Sequence, residues 1–245
     1  MRNIYKRKLA QHQQKGSTLD SISILYANIG AWKTKGDSFT DIARKNKCRI
    51  GVTTEVNQQS PSNSYFQKSF FSGTYKGAAV LFNENFIKTP KLVDIISKPD
   101  FDVLSVIFPT LNNLAIISGY VSAGIDDCYK LEFIQALINI FQITKEKTEK
   151  IILLGDWNIT VFLAASDLGW SSSSSPLSVH AAIDFIASES LHSIHRNYTW
   201  KRGDRVTAPD FLLCTQSLKD VIEVEILPSI EARQEHLAFL VKCRF

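Results

Sequence analysis

An α/β protein is predicted here: a four-layered α/β-sandwich of two packed, mostly antiparallel β-sheets flanked by helices. Three observations lead to it. About ten short apolar segments are set apart by Gly, Pro and Asn turn signals. Only two long segments show helical periodicity, so the helices are too few to alternate with every strand. A chain of 245 residues, 44% of them hydrophobic, suits one large domain with a sizeable core.

Residues 1–20 are polar, basic and aperiodic, and they are expected to form a flexible tail ahead of a domain spanning 21–245. SISILYAN (21–28) reads as a buried strand, after which Asp37 or Ser38 is expected to cap a short helix running to about Lys47. RIGVTTEV (49–56), GAAVLF (77–82), DVLSVIF (102–108) and LAIISGYV (114–121) read as four further strands. In 127–148, Leu131, Ile134, Leu137, Ile138 and Phe141 fall at helical spacing, and the apolar strand IILLGD follows. The serine run 171–175 with Pro176 makes a loop, 178–190 a second helix, and PDFLLC, VIEVEIL and LAFLVKC three closing strands.

Charge is unevenly placed. Residues 1–20 hold Arg2, Lys6, Arg7, Lys8 and Lys15 against Asp20, which accounts for the whole net charge of +4. The remaining 23 basic and 23 acidic residues cancel, so a nucleic-acid binder of this sequence must segregate its charges by face. Arg196, Lys201, Arg202 and Arg205 form one such cluster, opposed only by Asp204. No run of 18 apolar residues exists, so no helical membrane span is expected. The basic N-terminus has no apolar stretch behind it, unlike a secretory leader. Cys48, Cys128, Cys214 and Cys243 are far apart and show no CxxC spacing, which suits reduced core cysteines of an intracellular protein.

Polar residues at the ends of apolar strands are where chemistry is expected, because a strand end is rigid and opens onto the surface. Asn28, Glu55, Tyr120, Asp156 with Asn158, Asp210, and Glu235 with His236 all occupy such places. Singly, each has a plain explanation: the asparagines suit turns, Tyr120 a core position and His236 a surface one. Their order is more informative. ANIGAW, TTEV, GYV, LLGDWN, YTW, PDFLL and QEHLAF together resemble the motif series of the exonuclease–endonuclease–phosphatase (deoxyribonuclease I-like) superfamily, from about Ile22 to the C-terminus. GDWN is the most specific piece. YTW, followed some ten residues later by an aspartate at a strand start, is most similar to the endonuclease domains of non-LTR retrotransposons.

The resemblance implies a Mg²⁺-dependent phosphodiesterase, with Mn²⁺ as a substitute. Cutting a phosphodiester needs a hard cation on the phosphate oxygens, an oriented water and a donor to the developing charge. It implies Glu55 as the metal ligand with Asn28 and Glu235, Asp156 and Asn158 on the attacking water, and His236 on the phosphate with Asp210 behind it. Tyr120 and Thr199 would contact phosphate, and Trp200, Lys201, Arg202 and Arg205 would form a substrate-binding segment where this branch carries a hairpin that lies in a DNA groove. The implied function is nicking one strand of duplex DNA by a monomer, in the nucleus if it serves retrotransposition. Two departures stand out. The last motif is normally Ser-Asp-His and here reads Gln234-Glu235-His236, and the usual Arg-Ile-Asp reads Ala208-Pro209-Asp210. A ribonuclease or another phosphodiesterase of the same fold is the alternative within the class, although no inositol-phosphatase segment or lipid anchor is evident. A catalytically impaired member that only binds nucleic acid is the alternative outside it.

Overall fold

The computed structural model describes residues 21–57, 61–73, 76–159, 162–163, 170–171, 176–195, 198–202, 204–227 and 235–245. The basic tail expected over 1–20, most of the serine run, Arg196 and Gln234 lie outside these residues, as does the side chain of Arg205. In chain order the elements are β1 (Ser21–Asn28), α1 (Trp32–Lys45), β2 (Ile50–Thr54), β3 (Lys68–Ser72) and β4 (Ala78–Phe82). Then follow β5 (Lys91–Lys98), β6 (Phe101–Phe108), β7 (Leu114–Val121), α2 (Asp127–Lys145), β8 (Ile151–Asp156), β9 (Phe162–Leu163) and β10 (Trp170–Ser171). α3 (Pro176–Ser188), β11 (His192–Ser193), β12 (Trp200–Arg202), β13 (Arg205–Thr207), β14 (Asp210–Cys214), β15 (Ile222–Leu227) and β16 (Ala238–Arg244) complete them.

Two six-stranded sheets carry the architecture, ordered β15-β16-β1-β2-β4-β3 and β11-β14-β8-β7-β6-β5. Only β1 with β2 and β7 with β8 pair in parallel; the other ladders among the described residues are antiparallel. Alternation along each strand then builds the layers. On β1, Ile22, Ile24 and Tyr26 face the second sheet and pack with Leu104, Val106, Ile116 and Leu154. Leu25 and Ala27 face the other way, where α1 lays Trp32, Phe39 and Ala43 over them. On the far side, α2 and α3 cover Val103, Ile117 and Leu153 with Phe133, Leu137, Phe141 and Phe185. Three apolar interfaces therefore separate four layers: helix, sheet, sheet and helices, as the sequence leads one to expect. Among the described residues no helix is long and apolar enough to cross a membrane.

Three local expectations change. α1 begins at Trp32, so Asp37 and Ser38 lie inside it and do not cap it. The Trp32 N–H donates to Val56 O at 2.7 Å, and the buried indole packs edge-on to Phe39. A tertiary contact thus satisfies a helix-start donor that a capping side chain would otherwise serve. The strands β3, β5, β9, β10 and β11 are not among those expected, and Cys128 near the start of α2 is exposed, unlike the buried Cys48, Cys214 and Cys243. β5 is a half-exposed edge strand with lysines at both ends, so its apolar alternation is weak.

The centre of the second sheet depends on one close approach. Gly155 of β8 lies opposite Gly119 of β7, and a Cβ at 155 would sit 2.0 Å from the Gly119 carbonyl oxygen. At 119 a Cβ would instead meet the Phe133 ring at 3.1 Å. Backbone cannot give way as a ring edge can, so Gly155→Ala should lower stability by about 3 kcal/mol and Gly119→Ala by about 1 kcal/mol. Urea unfolding checks this; equal effects would contradict the close backbone contact.

Candidate active site

The parallel and antiparallel ladders bring β7, β8 and β14 into register so that Tyr120, Asp156 and Asp210 lie side by side at one end of the second sheet. The facing end of the first sheet contributes Tyr26, Asn28 and Glu55, since Asn28 and Thr54 are paired neighbours at the ends of β1 and β2. His236 comes from the segment leading into β16, bridged to Trp200. The site is therefore a seam between the two sheets, and hydrogen bonds cross it. The Tyr26 hydroxyl donates to Asp210 Oδ1 at 2.7 Å and Asn28 Nδ2 to Asp156 Oδ2 at 2.7 Å. The Tyr120 hydroxyl donates to Glu55 Oε1 at 2.8 Å.

Asp156, Asp210 and His236 form the one cluster among the described residues with potential metal-ligand atoms all within 4.8 Å of one another. His236 Nδ1 lies 2.9 Å from Asp210 Oδ2, and Nε2 lies 4.0 Å from Asp156 Oδ2. Because a carboxylate only accepts, Nδ1 carries the proton and Nε2 is turned towards Asp156. Burial raises the Asp156 carboxyl well above the usual carboxylate range, and the Asp210 charge opposite it adds to the rise; His236 and the Asn28 amide pull the other way. Burial alone would lower the pKa of His236, but the charge and hydrogen bond of Asp210, with Asp156 and Glu55, push it up to about 9.

Two backbone positions beside the cluster are strained. Glu55 has φ of 53° and Asn158 φ of 45°, left-handed conformations that non-glycine residues adopt rarely. At 158 the strain is held on three sides. Its N–H donates to Asp156 Oδ1 (3.2 Å), its Nδ2 to Val121 O (2.8 Å), and Lys130 Nζ donates to its carbonyl (2.9 Å). The neighbouring Trp157 is buried and stacks on Phe211 with ring centroids 4.1 Å apart, so in GDWN the tryptophan anchors the loop.

Of the sequence candidates, Asn28, Glu55, Tyr120, Asp156, Asn158, Asp210 and His236 converge on this seam. Thr199 lies under the β12–β13 hairpin, buried, its hydroxyl accepting from the Asp210 N–H at 3.1 Å. Lys201 and Arg202 are exposed on that hairpin. Glu235 is turned towards the hairpin: its Oε2 accepts from Trp200 Nε1 at 3.0 Å and its Oε1 lies 3.2 Å from Arg202 Nε. Sequence reasoning passed over Tyr26 and Lys130. Tyr26 was legible, since it lies two residues before Asn28 and so on the same strand face, carrying the one hydroxyl there close to the strand end. Lys130 had no signal, being one of two lysines on the surface of α2.

No family model matches this sequence, and no curated protein is significantly similar to it. Solved structures do share its fold, among them an endonuclease/exonuclease/phosphatase family protein from Bacteroides thetaiotaomicron. The 3′-5′ exonuclease NExo of Neisseria meningitidis is 14% identical, with a TM-score of 0.69 over 91% of this chain and 100% of its own; it has also been captured with a product DNA hairpin. The endonuclease domain of TRAS1, a telomere-specific non-LTR retrotransposon, is 18% identical with a TM-score of 0.62, covering 91% and 99%. The AP endonuclease LMAP of Leishmania major is 11% identical with a TM-score of 0.63, covering 92% and 88%. At these identities the likeness is one of fold.

The His236–Asp210 pair has a direct readout. Followed by NMR in metal-free protein, His236 should titrate near pH 9, and Asp210→Asn should lower its midpoint clearly, since the two largest raising causes, the Asp210 charge and hydrogen bond, are removed while burial still lowers it. The pair's stabilisation is fully present below about pH 6.5 and is lost as pH rises through about 9. A midpoint near 6.5 in the wild type would contradict this geometry.

Proposed function

We propose that this chain is a divalent-metal-dependent phosphodiesterase acting on nucleic acid, a DNA endonuclease that nicks one strand of a duplex as target-site cleavage by a retrotransposon requires. The observation that carries the reading is the buried Asp156–Asp210 pair beside His236, with Nδ1 held by Asp210 and Nε2 left facing the site. That arrangement suits a phosphoryl centre: a donor for a phosphate oxygen next to a carboxylate that can take a proton from water. The retrotransposon reading is supported by the YTW-to-aspartate order in the sequence and by the fold shared with the TRAS1 endonuclease domain. If it holds, the enzyme acts in the nucleus.

The donor set fits a hard cation. Glu55, Asp156, Asp210 and the Asn28 amide offer oxygen, and the mutual repulsion of two buried acids is relieved by positive charge. Glu55 with Asn28 would hold Mg²⁺ or Mn²⁺, which when bound supplies positive charge against the phosphate oxygens. Asp156 orients water and accepts its proton. His236 donates from Nε2 to the scissile phosphate while Asp210 keeps the ring in place. Tyr120 holds the Glu55 carboxylate, and Asn158, held by Lys130 and Val121, donates its N–H to the Asp156 carboxylate. Lys201, Arg202 and Arg205 on the hairpin beside the seam supply cations for flanking phosphates, which fixes the duplex without reading its sequence.

Supercoiled plasmid should be nicked in Mg²⁺ or Mn²⁺ and left intact in chelator. Glu55→Ala and Asp156→Ala should each lose at least about 100-fold in rate, the scale of removing one transition-state stabiliser. Cleavage of RNA alone would make the chain a ribonuclease, absence of any cleavage a binding protein, and full activity in chelator would end the metal mechanism.

A further inference from the structure

We infer that Glu235 is a positioning residue that clamps the β12–β13 hairpin against the segment bearing His236, and that its carboxylate serves the hairpin in place of a metal. The proposal rests on the phosphodiesterase reading for its consequence, since the hairpin is where that reading puts the flanking phosphates. Its geometric basis is independent of it. Three links converge on Glu235: the indole N–H of Trp200 on Oε2 at 3.0 Å, Arg202 Nε at 3.2 Å from Oε1, and the Lys201 N–H on its main-chain oxygen at 2.8 Å. A fourth lies two residues on, where the Leu237 N–H donates to Thr199 O at 2.8 Å.

Backbone geometry explains why Glu235 cannot also face the acidic cluster. The segment pairs with Trp200 as an isolated antiparallel bridge at His236, so it runs extended there. Neighbouring side chains on an extended chain project to opposite sides. His236 is turned to Asp210 and Asp156, which sends the Glu235 side chain towards the hairpin. Glutamate rather than aspartate then has a purpose: the extra methylene adds about 1.5 Å of reach, enough to span both Trp200 and Arg202. Both groups of the pair with Arg202 are solvent-accessible, so the contact contributes little to global stability and its effect is on placement. The hairpin root is joined to the cluster from the other side as well, through the Thr199 hydroxyl on the Asp210 N–H. Displacing the hairpin therefore moves Lys201 and Arg202 relative to His236, which alters the phosphate that is presented to it.

Two measurements on the 245-residue chain test this. The first needs no activity: limited trypsin digestion, with fragments identified by mass, reads cutting after Lys201 and Arg202. Glu235→Ala and Trp200→Phe should each speed those cuts by about tenfold, the scale of losing one charge-assisted hydrogen bond, while Glu235→Gln, which keeps an acceptor, should stay near wild type. Unchanged cutting in both Glu235→Ala and Trp200→Phe overturns the clamp. The second is a nick map on one long duplex together with the Mg²⁺ concentration at half-maximal rate. Glu235→Ala and Glu235→Asp should shift nick positions in the same sense as Trp200→Phe, with the Mg²⁺ midpoint within about twofold of wild type. A rise of about tenfold in that midpoint for Glu235→Gln would make Glu235 a metal ligand and overturn the proposal. A wild type that nicks nothing sinks the phosphodiesterase reading alone, and the trypsin result still decides the clamp.

Discussion

β8 and β14 pair so that Asp156 stands directly opposite Asp210 inside the protein, and the rest of the site is arranged around the charge this places there. Two carboxylates in a low-dielectric position repel each other and lose hydration, which holds the Asp156 carboxyl towards its protonated form. Groups from elsewhere in the chain offset part of that cost. Tyr26 and Asn28 donate from the first sheet, and His236 brings a cation from the approach to β16. The pair is thus a tie between the two sheets as well as a site. A sandwich whose sheets slid by one residue would bury two unpaired acids, so the polar seam helps to specify the register of the apolar layers beside it.

Two left-handed residues lie at the same edge. Glu55 and Asn158 hold left-handed backbone next to the two strands that end there, while cores on either side of each sheet are packed from Leu, Ile, Val and Phe in ordinary strands. Well-packed layers can hold such positions, and the result is a rigid, polar, partly open cleft edge with carboxylates, an imidazolium and two phenols in fixed relation. The basic hairpin is attached to this edge through Thr199 and Glu235, so the groups that would grip a backbone and those that would cut it share one support.

Much of this was legible because the site residues end strands. Apolar runs such as IILLGD and LAIISGYV announce their strands, and the polar residue at the end of each is the one that reaches the seam. The three interfaces of the sandwich follow from period-two alternation in the same runs. Other features depend on contacts distant in sequence. Tyr26 reads as core until Asp210 is placed 184 residues away, and Lys130 reads as helix surface until its amine meets Asn158. The start of α1 was misplaced because its first donor is satisfied by Val56 across a turn, which no local capping pattern reveals. The motif series likewise pointed to Glu235 by position but could not show which way its side chain turns, since that depends on the bridge between Trp200 and His236.

The central claim is that a charge suited to a divalent cation and a phosphate is held in the fold at a cost to the metal-free protein. Urea unfolding of wild type and Asp156→Asn in chelator, from pH 5 to pH 8, tests it most directly, with plasmid nicking followed alongside. A carboxyl raised from 3.8 to about 8 on folding contributes stability below about pH 4 that is lost as pH rises through about 8. The amide cannot ionise, and because Asp156 is one of the charges that raise His236, the variant also keeps less of the His236 contribution that fades as pH rises. The stability of Asp156→Asn relative to wild type should therefore rise steadily from pH 5 to pH 8 and exceed it by pH 8, and the variant should fail to nick DNA. An Asp156→Asn protein that is less stable than wild type at pH 8, or that still nicks at the wild-type rate, would contradict the account.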